Sequence, residues 1–403
     1  MSFFVAIVGL GFLIFVHELG HFSASLALRM RPRRFYIGFP PPLWKTQRKG
    51  IEYGIGTIPL GGFVKIPGMH RPAPSDVDQH FGRVVAEAPE LAGPLARLRE
   101  ALAVGDMEEA RAQLPALRAT VESLKLTPAA KQAAEKGLTE LEDALGADAY
   151  WRAPTWKRIV VIAAGPGANI VLAVVLLTGL FLAVGGKATT TVDAVAAGSP
   201  AAAAGLKPGD RVTAINGQRV GPSQISAKIT SSEGKPLVVT VARDGEIVRL
   251  RPVSARPVEG GGYRLGFVLR GEGLGPLGAS KEALRVTGLV TKEIGGSLTR
   301  LVTGSGRDEI SSPVGIVQGS SEAAKQGVDS YVWVLALISL SLALINLLPL
   351  LPLDGGHIAF AIVEGVRGRS VGREVYEKVS VVGIAVVLLL FFIGLTNDIG
   401  RLS

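Results

Sequence analysis

The chain has 403 residues, 48% of them hydrophobic, with a positive mean hydropathy and a formal net charge of +9. It has no cysteine and five histidines. That excludes disulfides, thiolate metal sites and a cysteine nucleophile, and leaves His, Asp and Glu to build any metal centre. The basic residues crowd beside apolar runs: Arg29, Arg31, Arg33 and Arg34 after the first, and Arg152, Lys157 and Arg158 before the second. Such placement suits anionic lipid headgroups, and no nucleic-acid recognition module is present.

A bilayer-spanning helix needs about 20 mostly apolar residues. Four segments qualify: Phe3–Leu28, Ile159–Val184, Val332–Leu351 and Val379–Leu395. With their flanks the expected helices cover 1–30, 158–185, 331–352 and 378–396. The first differs from a secretory signal, because no basic region precedes it and no small-residue cleavage site follows it. It also carries two histidines and a glutamate. Lys and Arg lie close to the spans in the loop Arg29–Arg158, and again at Arg367, Arg369, Arg373 and Lys378. Few lie near the membrane ends of the segment between spans two and three. The positive-inside rule then places both termini outside, the first and third loops in the cytoplasm and the middle segment outside. The expected fold is a polytopic α-helical membrane protein with four transmembrane helices, a membrane-associated β-hairpin and one inserted extracytoplasmic domain of β-rich α+β type.

Between the first two spans the composition changes once. In the cytoplasmic-side loop 31–86, Ile51–Pro67 is β-branched, apolar and punctuated by glycine, which predicts a β-hairpin over 51–67 with its turn near Pro59–Gly62. From 87 to 150 Ala, Leu, Glu, Arg and Lys dominate, predicting two or three short amphipathic helices. Asp106 and Thr127 are the expected N-caps, with Pro128 at a first helical position. This is either a solvated insert or a partner-binding element.

Residues 188–270 show short strands and turns. A small-residue helix runs into Gly205, followed by a Pro208–Gly209–Asp210 turn, a strand and an Asn216–Gly217 hairpin turn. That order resembles a PDZ domain of the bacterial protease-associated type. The connector 280–330 reads as an amphipathic helix, a glycine-rich break and an extended stretch at Ser312–Val317.

The chemistry concentrates at His17–Glu18–Leu19–Gly20–His21. Residues four apart on a helix share one face, so both imidazoles can grip one metal. Glu18 points about 100° away from His17, within reach of a metal-activated water. If the span starts near Phe3, His17 lies about 21 Å along it at 1.5 Å per residue, in the cytoplasmic half. Ionisable groups in a lipid-spanning segment are costly and tend to be functional. Catalytic zinc has three protein ligands plus water. The strongest third candidate is Asp354 in Asn346–His357 (NLLPLLPLDGGH), where two prolines break the helix; the other reading of Asp354 is an N-cap. His357 can share a face with Asp354 in a supporting role. His70 and His80 fall in a polar loop and are expected to be solvated.

HELGH in the first span, GPGAN (Gly165–Asn169) in the second, the outer PDZ-like domain and NLLPLLPLDGG in the third together resemble the site-2 protease family of intramembrane zinc metalloproteases, nearest the bacterial regulators of sigma-factor signalling. The resemblance covers nearly the whole chain except the helical insert. It implies one zinc ion bound by His17, His21 and Asp354, with Glu18 as general acid and base. It implies that Asn346, Asn169 and the hairpin residues Gly61, Gly62 and Phe63 position substrate, which would pair with the hairpin by strand addition. The implied substrates are single-span membrane proteins such as anti-sigma factors, already cut by a site-1 protease, in the inner (plasma) membrane; remnant signal peptides are an alternative. Two departures stand out. Leu351 occupies the family's usual second proline position, with Pro352 following, and one PDZ-like domain stands where some relatives have two. A metal-binding transporter and an inactive PDZ scaffold are the rival classes; the first gives Glu18 no role beyond charge and no reason for a PDZ domain, and the second leaves an intact catalytic set unused.

Overall fold

The computed structural model describes residues 2–184, 187–258, 262–302 and 311–402. It divides into two compact units, Met1–Ala173 with Leu289–Ser403, and Val174–Gly288.

The first unit starts with helix α1 (Ser2–Ala27). Strands β1 (Arg34–Arg48) and β2 (Ile51–Lys65) follow, joined at Lys49 and Gly50, both at positive φ. That is the geometry of a two-residue hairpin turn. Both strands are bent. Arg34–Ile37 pairs with Glu52–Ile55 on one side and with Gly62–Lys65 on the other, while Trp44–Arg48 pairs with Ile51–Ile55. The expected hairpin over 51–67 is therefore corrected: the two halves of β2 do not pair with each other, because Arg34–Ile37 lies between them.

Four helices come next: α2 (Pro74–Glu87), α3 (Ala92–Val104), α4 (Met107–Ser123) and α5 (Pro128–Leu145). Helix begins at Pro74, ahead of residue 87, because Val77, Phe81 and Val84 recur at helical spacing and bury. Asp106 Oδ1 accepts from the Glu109 N–H at 3.0 Å, and Thr127 Oγ1 from that of Ala130 at 3.3 Å. Phe81, Leu91, Leu98, Leu114, Leu138 and Leu141 fill the shared core. The insert is tied to the sheet by charge: Arg33 and Lys65 each approach Asp143 at 2.7 Å.

Helix α6 (Thr155–Ala183) leads into the second unit. There the order is β3 (Lys187–Val195), α7 (Pro200–Ala204), β4 (Arg211–Ile215), β5 (Gln218–Arg219), α8 (Pro222–Thr230), β6 (Pro236–Leu237), β7 (Val239–Arg243), β8 (Glu246–Arg249), β9 (Val253–Ser254), β10 (Arg256–Pro257), β11 (Tyr263–Arg264) and β12 (Phe267–Glu272). The main sheet runs β12-β3-β4-β7-β8, with β5 on β4. Asn216 and Gly217 both have positive φ in the β4–β5 turn. Val192, Val212, Ile215, Ile225 and Val241 form the core. Buried Asp210 pairs with Arg243 at 2.7 Å.

Helix α9 (Pro276–Val302) returns to the first unit, followed by α10 (Pro313–Gln326), α11 (Val328–Asn346), α12 (Asp354–Arg367) and α13 (Arg373–Leu402). The extended stretch expected at Ser312–Val317 is instead the start of α10. Ser312 Oγ accepts from the Val314 N–H, and the Asp398 carboxylate accepts from the N–H groups of Ser312 and Gly315. Among the described residues, four helices are long and apolar enough to cross a membrane: α1, α6, α11 and α13. They expose Phe4, Val8, Val171, Leu389 and Phe392, a surface suited to lipid. The third span ends at Asn346, so NLLPLLP forms the turn between α11 and α12 rather than the end of the span.

Candidate metal centre and active site

His17 and His21 lie one turn apart on the buried face of α1 and are 7% and 6% exposed. Asp354 is the first residue of α12. Its position depends on Gly355, where a Cβ would come within 2.2 Å of the Leu347 carbonyl oxygen and 2.3 Å of that of Leu348. Only a residue without a side chain lets α12 start folded back against the turn.

Three donor atoms converge. Asp354 Oδ2 is 3.1 Å from His17 Nε2 and 3.3 Å from His21 Nε2, and the two Nε2 atoms are 3.2 Å apart. Tetrahedral zinc with bonds of about 2.1 Å separates its ligand atoms by about 3.4 Å. The triangle therefore fits one face of that tetrahedron, and the donor set of two imidazoles and a carboxylate suits zinc.

The atoms behind the triangle set its tautomers. His21 Nδ1 lies 2.9 Å from the Val161 carbonyl oxygen, so Nδ1 carries the proton and Nε2 offers its lone pair inward. His17 Nδ1 lies 3.5 Å from the amide of Asn169, whose Oδ1 is buried without a partner. Turning that amide gives the His17 Nδ1–H an acceptor and Oδ1 a donor. The helices approach closely because Gly20 and Gly165 lack side chains. A Cβ on Gly20 would sit 2.2 Å from the Ala164 carbonyl oxygen, and one on Gly165 2.2 Å from His21 Nε2.

Glu18 lines the same cavity of about 440 Å³ as the three donors, together with Val64 of β2. Phe63 and Asn346 also line it. Phe63 stacks on Tyr36, and Asn346 Nδ2 donates to the Leu342 carbonyl. Gly62 abuts Glu18: a Cβ there would lie 3.1 Å from Glu18 Cγ. Gly61 has φ 132° at the bend of β2. Asn169 is fully buried behind His17 rather than facing the cavity.

One expectation about the histidines is corrected and one stands. His80 lies on α2 and pairs with Glu140 at 2.9 Å, its side chain 11% exposed. His70 is exposed, as expected, and borders the cavity that Glu18 lines, with its ring against Tyr376. His357 lines that cavity too and hydrogen-bonds Tyr376 through Nδ1. Burial lowers His357 to about 4, so its ring is neutral near pH 7. Sequence reasoning missed the Val161 carbonyl and the Tyr376 contact. A small residue at helical spacing facing the motif, Gly165 against His21, was the available clue to the first.

The model of Peptidase family M50 matches residues 5–390. The chain is 30% identical to the zinc metalloprotease RasP of Geobacillus kaustophilus over 98% of this chain and 97% of that one. It is 30% identical to the regulator of sigma-W protease RasP of Bacillus subtilis, with the same coverage. It is also 30% identical to the protease RseP of Yersinia pestis over 98% of each.

Proposed function

The chain belongs to peptidase family M50 and is a zinc metalloprotease, and from that premise we propose how its residues cut a peptide bond at membrane depth. His17, His21 and Asp354 hold the zinc ion. Bound there, zinc supplies a Lewis acid that acidifies water and polarises a peptide carbonyl. Glu18 takes the proton from the attacking water and passes it to the leaving amide nitrogen. The β2 backbone at Gly62 packs against Glu18 and keeps it in place for both steps. Val161 and Asn169 orient the two imidazoles.

A transmembrane helix presents no free backbone to such a site, because its amides are already paired. The sheet of β1 and β2 beside Glu18 offers strand addition to an unwound segment. Phe63 and Asn346 then position the chain, while Gly61 and Gly62 keep the strand close to Glu18. The second unit acts as a PDZ domain on the outer side, and the catalytic centre lies towards the cytoplasm. The substrates are single-span membrane proteins trimmed by an earlier cut. A relative named for regulating sigma-W points to anti-sigma factors.

The observation that carries this reading is the triangle of two buried imidazoles and a half-buried carboxylate, with Glu18 in the same cavity. The test is to reconstitute the protein with a tagged single-span substrate and read the product termini by mass spectrometry. New termini inside or at the edge of the apolar segment are expected. Termini confined to the soluble flanks contradict the reading.

A further inference from the structure

A second cavity, of about 230 Å³, shares Met69, His70 and His357 with the catalytic cavity. The two therefore adjoin across those three residues. Its charge is one-sided. Arg71, Arg158 and Arg369 line it against a single acid, Glu364. Glu364 is already used: one carboxylate oxygen accepts from Arg158 Nη1 at 2.5 Å and the other from the Val371 N–H at 2.8 Å. Arg71 and Arg369 are exposed and form no ion pair among the described residues. Arg158 is 8% exposed, and its Nε has no partner. Tyr150, Trp151, Ser370 and Tyr376 add further polar groups to the lining, beside the shared His70 and His357. Donors thus exceed acceptors, and a buried unpaired guanidinium nitrogen is costly.

We propose that this cavity is an anion subsite which receives a carboxylate side chain of the substrate, a few residues from the scissile bond. The donor excess selects an anion. The shared wall with the catalytic cavity favours an anion carried by the peptide over one supplied by lipid. The subsite would discriminate between substrates, because cytoplasmic flanks of membrane proteins are usually basic and the arginines repel those.

The inference rests on the protease reading above, and the test separates the two. Full-length protein in neutral phosphatidylcholine vesicles is given a single-span substrate with one Glu, or one Gln, at each of the six positions either side of the cut. At one or two neighbouring positions the Glu substrate is expected to have a kcat/KM about tenfold above its Gln counterpart. That ratio is expected to fall to near one in Arg71→Ala/Arg369→Ala, with zinc content at the wild-type level. A ratio near one at every position in the wild-type enzyme overturns the subsite, whatever the variant does. So does a ratio the variant leaves unchanged. Repeating the assay with phosphatidylglycerol distinguishes the other anion source. A rate that follows the anionic lipid through Arg71 and Arg369, and is blind to Glu against Gln, assigns the cavity to headgroups and overturns the proposal. Failure to cleave any substrate counts against the protease reading instead.

Discussion

Asp354 Oδ2 lies 3.1 Å from His17 Nε2 although 337 residues separate them in the chain. The contact joins the first span to the start of α12, and neither segment holds the complete donor set. Removing any one donor leaves two, too few for a catalytic zinc site. Asp354→Asn and His21→Ala are each expected to lower zinc from one per chain to a small fraction of that in purified protein. Elemental analysis checks this, and full retention in either variant removes that residue as a ligand.

Gly165 carries a second consequence. Alanine there would place a methyl group 2.2 Å from His21 Nε2, against an atom that cannot move without leaving the triangle. Gly165→Ala is expected to weaken zinc binding and to lower cleavage at least tenfold. Isothermal competition with a chelator measures the first effect. Unchanged affinity shows that α6 moves aside to admit the methyl group.

Asn169 acts one step further out. Removing an acceptor behind a ligating imidazole usually costs about 10- to 100-fold in metal affinity or activity. Asn169→Leu is expected to fall in that range, with Asn169→Asp closer to wild type because it keeps an acceptor for the His17 Nδ1–H. Equal affinity in Asn169→Leu and wild type would show that the amide does not orient His17.

Gly62 separates catalysis from metal binding. A Cβ there would press on Glu18 Cγ at 3.1 Å and on the Tyr36 carbonyl oxygen at 2.7 Å. Gly62→Ala is expected to keep its zinc while kcat falls by about 10- to 100-fold. Loss of zinc in this variant indicates a wider collapse of the sheet against α1.

The second unit has its own pH dependence. The Arg243 guanidinium holds the Asp210 carboxyl below its usual range, helped by the Lys207 N–H and opposed by burial. The unfolded chain binds that proton more readily than the folded one. The stabilisation is therefore complete above the ordinary carboxylate value of about 3.9 and is lost as pH falls through the lower folded value. Asp210→Asn is expected to destabilise the unit by about 1–3 kcal/mol at pH 7, with the gap closing at more acid pH. Hydrogen exchange of the β4 and β7 amides in the full-length protein follows it. A gap independent of pH points to packing rather than charge.

Much of the centre was legible from residue types. His17, Glu18 and His21 stand on one helix at a spacing that fixes their geometry, and the prolines before Asp354 mark a break where a ligand can turn inward. The sheet was not legible. A hairpin signal reports only neighbours in sequence, and Arg34–Ile37, which pairs with both halves of β2, lies outside 51–67. Its continuation, Phe39–Pro40–Pro41–Pro42, also discourages a strand reading, because proline cannot donate to a ladder. Ser312–Pro313 carries a helix start, serine cap followed by proline, which the β-branched residues after it disguised. The Val161 carbonyl has no side-chain signature, so only the packing of α6 on α1 reveals it.

The central claim is that Glu18 performs proton transfer beside zinc held by His17, His21 and Asp354. The most direct measurement compares wild type and Glu18→Gln, both reconstituted and both assayed for zinc, on one single-span substrate. The account predicts one zinc per chain in each protein, with cleavage by the wild type and a loss of at least a hundredfold in the variant. Equal cleavage by both at equal zinc content would contradict it.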